Sequence, residues 1–319
     1  MKVLVTGSSG FIGRKLIKKL ENNGINNVGI VRNQNQDNQY KDSRKYIKID
    51  INENTDWSFP LKNIDCVIHC AARAHVIKET SNKPLESYRG LNVNSTINLA
   101  KQCATNGVKR FIFLSSIGVN GNFTTPPKKF SFKDVPSPAE DYAISKLEAE
   151  QALKKILSET DLEVVIIRPP LVYGPDVKGN FLRLLNLINI NFPFPFSLIK
   201  NSRSYIGVDN LVDFITLCIN HPDAKGNTFL VSDNNDISTP DLIKKLATRM
   251  GKFPIIFPVP ILLLRIMFSL FGVRKNLDRL VQSLQIEYSK KNTNLNWTPS
   301  KSLDQGLNEM IESYQKKKI

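Results

Sequence analysis

The chain has 319 residues, of which 41% are hydrophobic and 23% charged, with 16 glycines and 17 prolines; this excludes collagen-like, disordered and disulfide-scaffold classes and leaves room for roughly two domains. Against 29 Asp and Glu stand 44 Lys and Arg, a formal net charge of +15, which admits nucleic acid, an anionic membrane or a phosphorylated small molecule as partner. The basic residues are spread along the chain and are not interleaved with aromatics, so no nucleic-acid partner is expected.

In chain order, Lys2 to Thr6 is a short apolar run ended by Gly7, and beyond Gly13 the apolar positions Leu16, Ile17 and Leu20 recur at helical spacing until Asn22-Asn23-Gly24. That is strand, turn, helix. No export-length apolar segment precedes the turn, so no signal peptide is expected. Apolar runs follow at Val28 to Val31, Tyr46 to Ile49, Asp65 to Cys70, Arg110 to Leu114 and Glu163 to Ile167, with helical stretches around 90–105 and 140–160. Near-continuous Val/Ile runs in this order predict an α/β fold with a Rossmann-type, doubly wound parallel sheet. After Arg168-Pro169-Pro170 the texture turns Pro-rich and irregular. The expected division is therefore a dinucleotide-binding domain over 1–169, to which segments of 204–235 return, and a smaller substrate-binding lobe over 170–319. Ile261 to Val273 is too short to cross a bilayer and predicts a lobe helix packed on its neighbours. The alternative is a weak peripheral membrane contact, given Lys244, Lys245, Arg249, Lys252, Arg274 and Lys275 around it.

Cys66, Cys70, Cys103 and Cys218 form no CxxC pair, and all but Cys103 sit in strongly apolar surroundings. Free thiols, no structural zinc and a cytoplasmic location are expected. His69, His75 and His221 are too scattered for a metal triad, so no metal is expected either.

Gly7-Ser8-Ser9-Gly10-Phe11-Ile12-Gly13 is a GxxGxxG loop between a strand and a helix. Glycine permits the tight turn, lets the backbone approach a pyrophosphate and lets the helix pack closely, while the helix N-terminus offers free N–H groups. A carboxylate commonly ends the second strand of such folds to hold the adenosine ribose; here Arg32-Asn33 stands there. A guanidinium suits a 2′-phosphate, which favours NADP(H) slightly over NAD(H). Asp50-Ile51 follows the third strand. Tyr142 and Lys146 lie four residues apart on one helix face, where an ammonium can lower the pKa of a phenol. Ser115-Ser116 closes the fifth strand at the sheet edge where open α/β folds bind ligands.

In their order, these motifs resemble the extended short-chain dehydrogenases/reductases, and the resemblance runs over nearly the whole chain. Further matches to the NAD-dependent nucleotide-sugar epimerase/dehydratase branch are His69-Cys70-Ala71-Ala72, Asn92-Val93-Asn94-Ser95-Thr96, Arg168 through Pro175 and Arg203 through Asp209. By that resemblance Ser116 and Tyr142 engage the substrate C4 oxygen, and Lys146 bridges Tyr142 and the nicotinamide ribose. Gly7, Ser9, Gly10, Phe11, Ile12, Gly13, Arg32, Asp50, Ile51, Ala71, Ala72, Asn92, Ser115 and Pro169 complete the cofactor site, and Asn180, Arg203 and Arg279 meet a UDP-linked sugar. Ser116 is followed by Ile117-Gly118 in place of the Asp-Glu of the dehydratases, and neither residue can move a proton. Arg73-Ala74-His75-Val76 and the run 111–122 look most like a bacterial subgroup that reduces UDP-4-keto-6-deoxy-N-acetylglucosamine at C4 for O-antigen or capsule. A UDP-hexose or UDP-N-acetylhexosamine 4-epimerase with tightly held NAD uses the same three residues and is the alternative. A non-catalytic nucleotide sensor is the alternative of another class. A homodimer is compatible with the resemblance.

Overall fold

The computed structural model describes residues 1–32, 42, 45–74, 83–270, 274–287 and 295–317. Asn33, His75 and Val76 lie outside them. Seven strands form one all-parallel sheet in the order β3-β2-β1-β4-β5-β6-β9: β1 (Lys2–Thr6), β2 (Asn26–Val31), β3 (Tyr46–Lys48), β4 (Cys66–His69), β5 (Arg110–Leu114), β6 (Glu163–Arg168) and β9 (Thr228–Leu230). A parallel pair, β7 (Leu171–Tyr173) and β8 (Tyr205–Gly207), stands apart. The crevice where the strand order reverses, between β1 and β4, is where a doubly wound sheet binds its ligand.

Helices cover both faces. On one, α1 (Phe11–Asn22) lays Leu16, Ile17 and Leu20 beside Leu211, Phe214 and Ile215 of α6 (Val208–Cys218). On the other, α3 (Ser95–Thr105) and α4 (Asp141–Glu159) bury Leu99, Cys103, Leu153 and Ile156. Cys103, expected outside apolar surroundings, is thus fully buried; all four cysteines are free. The helix expected around 90–105 begins earlier, as α2 (Pro84–Arg89), because Pro84 is preorganised for a first turn. A π-turn over Gly90–Asn94 joins α2 to α3.

A second core lies under α5 (Gly179–Asn189), α7 (Thr239–Arg249) and α10 (Leu303–Lys316), with Phe181, Leu185, Leu246, Leu307 and Met310 at its centre. The apolar stretch after Pro260 forms α8 (Ile261–Leu270), followed by α9 (Arg274–Val281). α8 is not packed among neighbours as its composition predicts. Of its ten residues only Leu264 is buried and Phe268 half-buried, because the lobe offers this helix one narrow seam. No helix among the described residues is long and apolar enough to cross a membrane.

Candidate active site

The glycine loop leaves β1 through Gly7 at φ +65°, and Gly7 and Gly13 are sterically required. A Cβ on Gly7 would stand 2.8 Å from the Ala71 nitrogen, and one on Gly13 2.2 Å from the Gly7 carbonyl oxygen. Both obstacles are backbone, so no rotamer relieves them. α1 starts at Gly10 with no side-chain cap and no acidic residue in its first turn, which keeps its leading N–H groups available to a phosphate. This uncapped turn fits a dinucleotide pyrophosphate. Ser9 is exposed at the loop crest, Phe11 and Ile12 are half-buried against the core, and Ala71 and Ala72 continue from β4 beside Gly7.

Behind the loop a buried hydrogen-bond chain fixes a histidine. His69 Nδ1 lies 2.7 Å from Thr6 Oγ1 and Nε2 3.0 Å from Thr96 Oγ1. Thr96 donates its hydroxyl proton to the Asn92 carbonyl at 2.9 Å, so it accepts from Nε2, and Nδ1 accepts from Thr6. Burial, with Lys146 nearby, pushes the His69 pKa down to about 3. Unfolded, this imidazole takes up a proton below its ordinary 6.5; folded, it stays neutral until about 3. Its contribution is therefore complete above pH 6.5 and is lost as pH falls toward 3, with a slope of up to about 1.4 kcal/mol per pH unit. Urea titrations from pH 7 to pH 5 should show a shallower decline for His69→Gln than for the wild type; parallel declines would exclude this source.

Ser116, Tyr142 and Lys146 gather at the end of β5. Ser116 caps a 3₁₀ turn over Ile117–Val119, its Oγ accepting from the Gly118 N–H at 3.1 Å. That turn rests on α4: a Cβ on Gly118 would be 3.2 Å from the Ala143 Cβ. Lys146 is buried, donates to the Leu114 carbonyl at 2.9 Å, and holds Nζ 4.4 Å from the Phe113 ring centre and 6.0 Å from that of Tyr142. Burial lowers its pKa to about 8.

The Tyr142 phenol is pushed up to about 12, by burial first and Tyr88 second. The lowering expected from Lys146 is absent because its ammonium is drawn onto the strand carbonyl. Tyr88, in edge contact with Tyr142 at 6.2 Å between ring centres, was not signalled by any motif.

Several expected contacts are directed elsewhere. Ser115, expected to face the cofactor, donates instead to buried Glu150. Asn92 accepts from the Arg73 N–H at 2.8 Å and donates to Ser145 Oγ at 3.0 Å, which places its amide between a loop and α4. Pro169 uses its carbonyl on the Ile117 N–H. Arg32 and Asp50 face each other at 3.6 Å, both exposed, while Ile51 is half-buried. Asp50 thus places a carboxylate beside Arg32 at this edge of the sheet. Asn180 is exposed in the first turn of α5. Arg203 donates to the Gln282 carbonyl at 2.8 Å. Arg279 pairs with Glu140, the residue capping α4. Of these three, Arg279 reaches α4, through Glu140, while Arg203 is held against the segment around Gln282.

A buried network that the motifs did not reveal supports the site. Glu150 takes the Arg168 guanidinium in a bidentate pair, with Arg168 Nε at 2.9 Å, and Arg168 Nη1 donates to Asn120 Oδ1 at 2.8 Å. Its sequence signal was available, since Tyr142, Lys146 and Glu150 repeat every four residues on one helical stripe.

Residues 3–232 match the family model described as NAD dependent epimerase/dehydratase family. A UDP-glucose 4-epimerase of Vibrio cholerae is 42% identical over 314 residues, covering 98% of this chain and 95% of the relative. Two solved structures share the fold: a UDP-glucose 4-epimerase of Thermotoga maritima with UDP-glucose, at TM-score 0.81 and 23% identity over the whole of both chains, and a UDP-glucuronic acid 4-epimerase of Bacillus cereus in complex with NAD, at 0.80 and 24% over 99% of each.

Proposed function

This chain belongs to the NAD dependent epimerase/dehydratase family, and we propose that it acts on a UDP-linked hexose or N-acetylhexosamine by hydride transfer at C4, with inversion of C4 as the net reaction. The observation that carries this reading is the gathering of Ser116, Tyr142 and Lys146 at the end of β5, two strands across the sheet from the glycine loop. The similarity to a 4-epimerase over nearly the full length supports inversion as the outcome.

When bound, NAD supplies the hydride acceptor and donor. The uncapped turn of α1 would hold its pyrophosphate, and Lys146 would orient its ribose. As the phenolate, Tyr142 Oη would take the proton of the C4 hydroxyl on oxidation, and as the resulting phenol it would return that proton when the ketone is reduced on its other face, so that the cycle uses no net proton. Ser116 Oγ donates to the C4 oxygen while charge develops there. With Ile117-Gly118 after Ser116, the chain supplies no acid and base at that place for eliminating water across C5 and C6.

A specific feature favours a second reading, net reduction of a UDP-4-keto-6-deoxy-N-acetylhexosamine in surface-polysaccharide synthesis. β2 ends in Arg32, and the carboxylate beside it, Asp50, is exposed and engaged with that guanidinium, so a loosely held dinucleotide is favoured, which suits an enzyme that exchanges it at each turnover. One experiment separates the two. Purified protein is given UDP-glucose or UDP-N-acetylglucosamine without added cofactor, and in parallel the 4-ketosugar with NADH or NADPH. Formation of the C4 epimer by protein that releases NAD on denaturation establishes inversion. Consumption of NADH or NADPH only with the ketosugar establishes reduction. Neither result would sink the shared reading.

A further inference from the structure

We propose that the lobe docks on an anionic membrane surface through α8 and the segment before it, an interaction that the chemistry at C4 does not require. The exposed side chains of α8 are almost all apolar, with Leu262 at 72% and Leu270 at 81% exposure and Leu263, Ile266 and Met267 between them. The preceding segment joins the same lobe edge: Ile256 bridges to Phe194, while Phe253, at 89% exposure, Ile255 and Phe257 face outward. On the facing segment Phe192 and Leu198 are exposed as well. An apolar surface built from two segments and a helix greatly exceeds the scattered exposed leucine of ordinary proteins.

Charge selects the occupant. Between Leu242 and Leu277 there is no Asp or Glu, whereas Lys or Arg stands at 244, 245, 249, 252, 265, 274 and 275. Lys245 and Arg249 answer Asp304, and Lys244 answers Asp241. Arg265 rises from the middle of the apolar helix and is exposed. Apolar side chains with Arg265 exposed among them, in a stretch of sequence whose charged residues are all basic and on a helix too short to span a bilayer, suit the interface of an anionic leaflet, with the leucines entering the acyl boundary and Arg265 remaining among the headgroups. A second copy of this chain, itself at +15, would set like charges against each other. α9 packs on α8 and carries Arg279 to Glu140 at the start of α4, so the docked face lies next to the lobe side of the candidate site.

The test is co-sedimentation of the full chain with vesicles of phosphatidylethanolamine and phosphatidylglycerol, and with vesicles of phosphatidylcholine alone. The wild type should bind the anionic vesicles about tenfold more than the neutral ones, and less as salt rises. A triple variant, Leu262→Gln with Ile266→Gln and Leu270→Gln, should lose about tenfold or more of that binding with its circular dichroism and its turnover of sugar nucleotide unchanged. Arg265→Glu should weaken binding to the anionic vesicles alone. The proposal is overturned if the wild type remains in the supernatant with anionic vesicles, or if the triple variant sediments as the wild type does. It is equally overturned if the face proves to be a subunit contact, seen as a lipid-free dimer that the triple variant converts to monomer.

Discussion

Tyr142→Phe is expected to reduce turnover by about 10²- to 10⁴-fold, the range contributed by a positioned proton donor, while the protein still retains its dinucleotide. The substitution removes one oxygen and keeps the ring, so the edge contact with Tyr88 at 6.2 Å persists and the loss is chemical. With its pKa pushed up to about 12, the phenol is protonated through neutral pH, the form that donates to a C4 alkoxide when the ketone is reduced, whereas the oxidising half requires the phenolate, whose share grows as pH rises. Turnover that starts from a C4 alcohol should therefore gain from rising pH through Tyr142, and lose above about 8, where Lys146, lowered by burial, gives up its charge and with it its hold on the dinucleotide ribose. The measurement is steady-state turnover from pH 6 to pH 10 with bound dinucleotide quantified in parallel. Residual turnover of Tyr142→Phe within tenfold of the wild type would remove Tyr142 from the proton path.

The second large effect is on stability. Glu150→Ala should cost about 3–5 kcal/mol, because it strands the Arg168 guanidinium without its carboxylate at a site closed to water. Glu150 and Arg168 are 0% and 2% exposed, and Ser115 loses its acceptor in the same step. The double variant Glu150→Leu with Arg168→Met should recover much of that loss, since a pair of apolar groups carries no desolvation penalty. Urea midpoints of the three proteins measure both effects. A single variant within about 1 kcal/mol of the wild type would show that water reaches Arg168.

Sequence reasoning succeeded where backbone geometry leaves one residue type. Gly7 and Gly13 meet backbone atoms that a Cβ would strike, so the loop could be read from glycine spacing alone. The parallel sheet was equally legible, because β4, β5 and β6 are buried almost throughout and must be nearly continuous apolar runs. Side-chain direction was not legible. Ser115 and Ser116 are neighbours on one strand end, yet alternation turns the first inward to Glu150 and leaves the second at the crevice. Asn92 matched a cofactor motif, but the π-turn around it aims its amide at Arg73 and Ser145. Arg32 and Asp50 belong to adjacent strand ends, and only the pairing of β2 with β3 brings their charges together. Apolar content at 261–270 implied burial, whereas the surface available around Leu264 admits a single ridge of that helix.

β9, the last strand of the sheet, is separated from its partner β6 by roughly sixty residues that include β7, α5, β8 and α6. During synthesis on the ribosome, β6 therefore emerges with one edge of N–H and C=O groups unmatched, and at about 5–20 residues per second this lasts several seconds. A bare, apolar parallel edge is a template for pairing with other nascent chains, so these seconds are the interval in which a holdase has the most to protect. The order of translation thus leaves the parallel sheet unsealed until α5 and α6 have already been made.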